Sequence, residues 1–224
     1  MRALWTIVVL LLGPIAGALS GRKVRAIPSR RLIYVSNALN LVVLGAITAA
    51  VDLTHGRKAF DLLANLTRPT TLVICSAAVA AACIAVLAIT LSLRIVLRWS
   101  PKSSVMALLP RSTAEKLAFT FLCILIALIE EFIYRGFVLS DLRDWLRSDT
   151  LAVALVSVSF ALMHGLQDWI AIAGAFLQGI VLSIPVLLIH SLAASIVGHF
   201  SVDLCAGLFL FVVLQRFQLV PKET

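Results

Sequence analysis

Six ionisable side chains lie within or at the ends of apolar stretches in the second half of the chain. They fall into three groups: IEEFIYRG with Glu130, Glu131 and Arg135; VSVSFALMHG with His164; and SIVGHFSVDL with His199 and Asp203. Carboxylates and imidazoles are the side chains that most often act as general bases and acids. A charged group at the centre of a membrane span costs about 3 kcal/mol even on insertion scales, so we expect these residues to form one functional site.

The first group contains two adjacent acids that a helix separates. Glu131 and Arg135 are four residues apart and can form an ion pair on one face. Glu130 points about 100° away from Glu131, so the two acids are expected to serve different purposes. Glu131 would be the ion-paired structural member, and Glu130 would face a cavity as the general base for a water molecule. The alternative is an ion pair that only fixes helix packing, which leaves Glu130 without a purpose.

The two histidines each have a partner one helical turn away. Phe160 and His164 are four residues apart, which places an aromatic wall and an imidazole on one face. His199 and Asp203 have the same spacing, so the carboxylate can accept a hydrogen bond from one ring nitrogen and leave the other directed at a substrate oxygen. Each group has a structural alternative: a hydrogen-bonded core histidine for His164, and a polar pair that joins two helices for His199 and Asp203.

The composition places these groups in a bilayer. The 224 residues are 61% hydrophobic and 13% charged, with a mean hydropathy of +1.06, whereas soluble domains are about 45–50% apolar and 25% charged. Soluble, disordered, collagenous and nucleic-acid-binding classes are therefore excluded. We predict an all-α polytopic membrane protein of about seven (six to eight) transmembrane helices, near residues 3–20, 32–51, 71–97, 116–139, 150–166, 169–189 and 191–213.

The distribution of charge predicts an orientation. The chain has 19 basic and 11 acidic residues, for a net charge of +8, and basic residues concentrate in cytoplasmic loops. Segments 21–31 and 94–116 are basic and are predicted to be cytoplasmic, whereas 52–70 and 140–149 mix both signs and suit the opposite side. The amino terminus would then lie outside. We interpret the first apolar segment as a span, and not as a cleaved signal peptide, because a basic segment and another span follow it.

Cysteine and metal patterns predict no cofactor. The four cysteines lie in apolar stretches without CxxC spacing, so neither disulfides nor a structural zinc site is indicated. One carboxylate and the two imidazoles of the site could hold zinc with an open position, but no two of these ligands have the compact spacing usual for zinc. The HExxH, GxGD and GxSxG patterns of other intramembrane proteases are absent.

The three motifs EExxxR, FxxxH and HxxxD, in this order on successive apolar spans, resemble those of the CPBP family. These CAAX-protease and bacteriocin-processing membrane proteins, also called ABI proteins, include the Ras-converting CAAX endopeptidases. The similarity covers 116–213 of a single membrane domain, 1–224, whose residues 1–115 have few motifs. It implies an all-helical membrane fold around an internal polar cavity, and glutamate-dependent hydrolysis of a peptide or protein substrate, with or without a prenyl group. Glu131, Arg135 and Phe160 would support the site.

The resemblance also implies catalytic roles. Glu130 would activate the water with help from His164, and His199 with the residue at position 203 would stabilise the oxyanion. The endopeptidases usually have asparagine where this chain has Asp203, and an ionised aspartate cannot donate a hydrogen bond to an oxyanion. Either Asp203 is protonated in its apolar setting, or it orients His199 and leaves that histidine as the sole donor.

Two other classes of function stay open. One is a non-catalytic CPBP-like scaffold or bacteriocin immunity protein, and the other is a proton-coupled transporter that uses Glu130, His164 and His199 as a relay. An enzyme is favoured because unpaired ionisable groups in a membrane are costly to keep without a use, and because neither paired repeats nor helices broken in both halves are evident. The expected partners are the lipid bilayer and the substrate, with no nucleic acid. Compact loops and the lack of a retention signal favour a prokaryotic plasma membrane.

Overall fold

The computed structural model describes residues 1–20, 29–164 and 168–219, and these residues form helices without any strand. The helices are α1 (Arg2–Ser20), α2 (Arg30–Thr54), α3 (Lys58–Ala64), α4 (Pro69–Leu97), α5 (Ser103–Leu108), α6 (Thr113–Glu131), α7 (Leu139–Leu146), α8 (Asp149–Met163), α9 (Trp169–Ile189) and α10 (Ala193–Arg216). A π-helical segment, Phe132–Val138, joins α6 to α7. The prediction of an all-α fold is confirmed for this part of the chain.

The number of spans differs from the prediction. Five helical stretches are long and apolar enough to cross a membrane: Arg30–Thr54, Pro69–Leu97, Thr113–Leu146, Trp169–Ile189 and Ala193–Arg216. Two shorter apolar helices, Arg2–Leu11 and Asp149–Met163, correspond to the predicted spans 3–20 and 150–166. The expected count of seven is therefore not confirmed within the described residues. Most of the basic segment 21–31 lies outside the described residues.

The third long stretch runs further than the predicted span 116–139. It begins at a capping box, in which the Ser112 hydroxyl accepts from the Glu115 amide at 3.2 Å and Glu115 Oε2 accepts from the Ser112 amide at 3.1 Å. It ends only at Leu146, where Arg147 adopts a left-handed conformation with φ 50°. The predicted carboxyl end at 139 was wrong because the amphipathic α7 continues the helix with polar residues that a hydropathy threshold does not count.

The longer helix removes a conflict in depth between two site residues. With the predicted bounds, Glu130 and His164 would differ in depth by roughly 12 Å in a 30 Å core. In the structure, Arg143 Nε donates to Asp149 Oδ1 at 2.7 Å and joins α7 to the start of α8. Counted from that contact at about 1.5 Å per residue, Glu130 lies roughly 20 Å and His164 roughly 22 Å away. The two side chains therefore lie at similar depths.

Small residues let α8, α9 and α10 pack closely around the motifs. A Cβ atom at Gly198 would lie 2.6 Å from Val79 Cγ1, so α10 packs directly against α4 there. A Cβ atom at Gly179 would lie 2.9 Å from the Cβ of Ser157, so α8 and α9 are equally close. Residues without bulky side chains permit this approach of helix backbones.

Ion pairs to two buried carboxylates connect α1 to the rest of the bundle. Arg2 Nη1 lies 2.7 Å from Asp52 Oδ1, and Arg2 Nε lies 2.6 Å from Asp141 Oδ1. Trp5 Nε1 donates to Thr48 Oγ1 at 3.0 Å. Asp52 and Asp141 are buried within α2 and α7, so their assignment to the loops 52–70 and 140–149 was wrong. A carboxylate in the interior requires a cationic partner, and Arg2 is that partner for both acids.

A second buried ion pair joins α4 to α9. The two terminal nitrogens of Arg94 donate to the two oxygens of Asp168, each at 2.7 Å. Asp168 Oδ1 also accepts from the amides of Ile170 and Ala171 at 3.1 and 3.2 Å, and so caps α9. Arg94 was predicted to be a loop residue of the basic segment 94–116, but it lies buried in the last turn of α4.

This ion pair predicts a pH-dependent contribution to stability. Burial alone would raise the pKa of the Asp168 carboxyl, but hydrogen bonds from Arg94 and from the Ala171 and Ile170 amides outweigh it and hold the pKa below its ordinary value. The stabilisation is therefore complete above the unfolded-state pKa of about 3.9 and is lost as the pH falls through the lower folded-state value. We expect Asp168→Asn to destabilise the protein at pH 7 and to flatten the acid side of its stability profile, measured by thermal unfolding in detergent. Parallel profiles for the two proteins would contradict this expectation.

Candidate active site

The imidazole of His199 lies between carboxylates from two helices. Its Nδ1 is 2.7 Å from Glu131 Oε1. Its Nε2 is 3.5 Å from Asp203 Oδ2 and 3.9 Å from Glu130 Oε2. The structure thus brings together the two acids of α6 and the two polar residues of the third motif, although almost seventy residues separate them in sequence.

The ion pair expected from the first motif is present and enclosed. Arg135 Nη1 lies 2.9 Å from Glu131 Oε1, and both side chains are completely buried. Arg135 Nη2 donates to the Gly179 carbonyl of α9 at 3.4 Å. Its guanidinium carbon lies 4.4 Å from the centre of the Phe160 ring, within the range of a cation–π contact. Arg135 therefore connects α6, α8 and α9 around the carboxylate of Glu131.

The partner of His199 differs from the one that the spacing predicts. We expected Asp203 to accept the hydrogen bond, but the short bond joins Nδ1 to Glu131 and the nearest Asp203 oxygen is 3.5 Å from Nε2. An ionised carboxylate only accepts, so Nδ1 carries a hydrogen and donates it to Glu131. Because Nε2 also faces carboxylate oxygens, of Glu130 and Asp203, an imidazolium with N–H groups on both nitrogens matches its surroundings.

The three acids differ in their access to solvent. The side chain of Glu131 is completely buried, whereas that of Glu130 is 13% exposed and that of Asp203 is 30% exposed. Glu131 also has a cationic partner within 3 Å, and Glu130 does not share it. The adjacent acids of α6 thus have the different surroundings that the helical geometry predicted.

The second motif forms the aromatic wall between the two histidines. The Phe160 ring centre lies 5.1 Å from that of His164 and 5.7 Å from that of His199. His164 Nδ1 is 3.0 Å from the Phe160 carbonyl oxygen. A carbonyl oxygen can only accept, so Nδ1 is the donor and the neutral ring has its lone pair on Nε2. His164 can therefore accept a proton through that nitrogen.

A cavity of about 150 Å³ reaches the site from one end of the bundle. His164 and Asp203 line it, as does Gln178 of α9. Arg94 at the end of α4 and Pro101 just beyond it also contribute to its wall. This end carries the segment 94–116, which the charge distribution predicts to be cytoplasmic.

The comparison with protein families identifies the region that contains the site. Residues 112–205 match the model described as Rce1-like: Type II CAAX prenyl endopeptidase Rce1-like. This segment is Rce1-like. The match confirms the resemblance to the CPBP family and supports a CAAX-type membrane protease at the level of the family. No curated protein and no solved structure matches the chain.

The Rce1-like segment contains all three motifs and begins at the Ser112 cap of α6. Together with the five apolar helices, the family match makes the chain an integral membrane protein. A membrane protease acts on peptide bonds, so a peptide or protein is the class of substrate at the level of the family.

The π-helical segment of the Rce1-like region was not predicted. It starts directly after Glu131, and the Leu139 amide donates to the Tyr134 carbonyl five residues earlier. Such wide turns are rare and occur frequently at functional sites. An apolar pattern does not distinguish a π-turn from an α-turn over so few residues, so the sequence contains no usable signal for it.

Two polar residues near the site have no place in the motifs. Ser157 lies one turn before Phe160, as the helical spacing requires, but its hydroxyl is buried against Gly179. Gln178 lies in the middle of the apolar α9 and lines the cavity. The signal that could have identified Gln178 is a carboxamide within an otherwise apolar span, where a polar group is costly.

Possible metal ligands are dispersed in the part of the chain that the structure describes. Within the described ranges, no three His, Cys, Asp or Glu side chains are grouped as a metal site requires. The four cysteines are free thiols. His199 Nδ1 is bound to Glu131 and His164 Nδ1 to a backbone carbonyl, and of these two histidines His164 lines the cavity.

Proposed function

We propose that the chain is an intramembrane glutamate-dependent endopeptidase in which Glu130 activates water. The observation that carries this proposal is the asymmetry of the two adjacent acids around His199. Glu131 is enclosed and bound to Arg135, whereas Glu130 is partly exposed and lies 3.9 Å from the other ring nitrogen. A base must reach a water molecule and a bound substrate, and of the two acids only Glu130 has that access.

The first chemical step forms a bond between water and the scissile carbonyl carbon. Glu130 takes a proton from the water as its oxygen adds to that carbon, and the electron pair of the C=O bond moves to the carbonyl oxygen. The resulting oxyanion accepts a hydrogen bond from His199 Nε2, which carries a hydrogen in the imidazolium form. Glu131 keeps that imidazole oriented through Nδ1.

The second step breaks the C–N bond. The electron pair returns from the oxyanion to the carbonyl, and the leaving amine receives the proton that the water supplied. His164 assists this transfer, because its Nδ1 donates to the Phe160 carbonyl and its Nε2 can accept and release a proton. The products are a carboxylic acid and an amine. Arg135 and Phe160 position the reacting groups without contacting the substrate.

The proposed reaction uses no metal. Support comes from the sequence, in which no two of the candidate ligands Glu130, His164 and His199 have the compact spacing usual for zinc. We expect the cleavage rate of purified protein to be unchanged after prolonged treatment with a strong chelator and removal of the chelated metal. A loss of activity that added zinc restores would contradict a metal-free reaction.

The proposed substrate is a peptide or protein that enters the cavity from the end of the bundle carrying Arg94. The family description names a prenyl endopeptidase, so a substrate with a CAAX carboxyl terminus and a prenyl chain is the first to test. The connections between the described helices are short, which favours a prokaryotic plasma membrane as the location.

The test measures cleavage of one peptide in two forms by protein in lipid vesicles. The peptide ends in a CAAX sequence and is supplied with and without a farnesyl group, and the released fragment is quantified. We expect the wild-type protein to cleave at least one form and Glu130→Gln to cleave neither. Binding without cleavage by wild-type protein would favour the non-catalytic scaffold instead.

A further inference from the structure

A carboxamide in α9 lies in the cavity and has no role in the reaction above. The polar side chains of α9 are Gln178 and Ser183. Ser183 Oγ donates to the Gly179 carbonyl of its own helix at 2.8 Å. Among the contacts described for the chain, none engages the Gln178 carboxamide, and this side chain lines the cavity. A polar group kept in an apolar span without a protein partner is a candidate for binding a ligand.

The register of α9 against α10 places Gln178 beside Asp203. The two helices are antiparallel neighbours, and a Cβ atom at Gly198 would lie 3.3 Å from Leu182 Cδ2. One turn from this contact, towards the open end of the cavity, α9 presents Gln178 and α10 presents Val202. Val202 and Asp203 line the cavity together with Gln178. The Gln178 carboxamide therefore lies at the same height along the bundle as Asp203, one turn after His199.

This end of the site lacks a second hydrogen-bond donor for an oxyanion. A tetrahedral oxyanion is stabilised by hydrogen-bond donors directed at its oxygen. His199 supplies one N–H, but an ionised Asp203 has only acceptor oxygens and would repel the developing charge. The Gln178 carboxamide carries two N–H groups and no charge.

We propose that the carboxamide of Gln178 binds the scissile carbonyl and supplies the hydrogen bond to the oxyanion that an ionised Asp203 cannot supply. This inference rests on the proposed endopeptidase function. As water adds to the carbonyl carbon and the electron pair moves to oxygen, Gln178 Nε2 and His199 Nε2 both donate to that oxygen. No bond to Gln178 forms or breaks, and its proton stays on nitrogen.

The test replaces the carboxamide with a side chain of similar length. Gln178→Met removes both N–H groups, and Asn40→Leu is the matched control, because it removes an amide from an exposed position on α2. We expect Gln178→Met to lower kcat/KM for the CAAX peptide by about 100-fold, as for the loss of one oxyanion donor. Asn40→Leu should leave kcat/KM unchanged. Both proteins should match wild type in gel filtration and thermal unfolding.

A second substitution tests the reason for the effect. Asp203→Asn introduces an N–H donor at the position where the carboxylate has none. If Gln178 compensates for Asp203, then Gln178→Met should cost less than about tenfold in the Asp203→Asn background, because two groups with a shared function are not additive. An equal loss in both backgrounds, or no loss in the single variant, would overturn the proposal.

A binding measurement keeps the test independent of turnover. A peptide phosphinate is tetrahedral and anionic, and so mimics the oxyanion, whereas the uncleaved peptide bound to Glu130→Gln protein represents the ground state. We expect Gln178→Met to weaken binding of the phosphinate much more than binding of the peptide, and equal weakening would overturn the proposal.

Retained cleavage by Glu130→Gln would refute the endopeptidase mechanism itself. A fully active Gln178→Met beside an inactive Glu130→Gln would refute only the role of Gln178.

Discussion

Glu130→Gln is expected to abolish peptide cleavage and to leave the helical bundle intact. Glutamine has the size of glutamate but cannot take a proton from water, and general-base catalysis contributes about 10²–10⁴-fold to a rate. We therefore expect kcat to fall by about 1000-fold or more. The substitution should be tolerated, because Glu130 is partly exposed and its nearest cation is His199 Nε2 at 3.9 Å. Cleavage of the CAAX peptide and thermal unfolding of the same preparation measure the two effects.

The matched control for this variant lies on the same helix. Glu115→Gln makes the identical chemical change at the start of α6, where glutamine can also serve in the capping box. Its activity should equal that of the wild type. Wild-type activity in Glu130→Gln would refute the glutamate mechanism, and an unfolded Glu130→Gln protein would show that Glu130 is a structural residue.

The contacts within one helix could be predicted, and those between helices could not. The pair Glu131 and Arg135 follows from a spacing of four residues and is present at 2.9 Å. The same rule suggested that His199 would bind Asp203, but Glu131 of another helix takes the short hydrogen bond. Spacing along one helix shows which groups can meet, and it contains no information about a competitor from elsewhere in the chain.

Ion pairs of charged residues near the ends of helices could not be predicted from local sequence either. Arg94 occurs where hydropathy falls, so it was assigned to the loop 94–116, and Arg2 lies at the edge of the first apolar segment. In the structure Arg94 is buried against Asp168, and the partly buried Arg2 pairs with the buried Asp52 and Asp141. A hydropathy profile measures the composition of a window, whereas the burial of a charge depends on a partner that the window does not include.

The overall class was predictable because it depends on composition, whereas the number of spans depends on where each helix ends. The two motif residues Glu130 and His164 illustrate the difference. Their presence on apolar helices follows from the sequence, but their common depth requires the extension of the third span to Leu146 and the early end of α8 at Met163. Both ends are set by capping and by packing between helices, not by hydropathy.

Arg135→Met is expected to destabilise the protein more than any other substitution of a charged residue at the site. It leaves the completely buried Glu131 with the His199 imidazolium as its remaining cationic neighbour, and breaking a buried ion pair from one side costs about 3–5 kcal/mol. It also removes the contact with the Phe160 ring and the hydrogen bond to the Gly179 carbonyl. We expect a lower free energy of unfolding, measured by denaturant titration in detergent, together with reduced cleavage, because the position of His199 depends on Glu131.

The control is Arg143→Met, which breaks the more exposed pair between Arg143 and Asp149 and should change stability little. Combining Arg135→Met with Glu131→Gln should restore part of the lost stability, because the buried carboxylate that lost its guanidinium partner is then removed as well. If the double variant were no more stable than Arg135→Met, the cost would come from lost packing and not from the buried carboxylate.

Glu131→Gln alone distinguishes a structural from a catalytic role of Glu131. Poor accumulation of the protein with low activity supports a structural role, whereas a stable but inactive protein would place Glu131 among the catalytic groups.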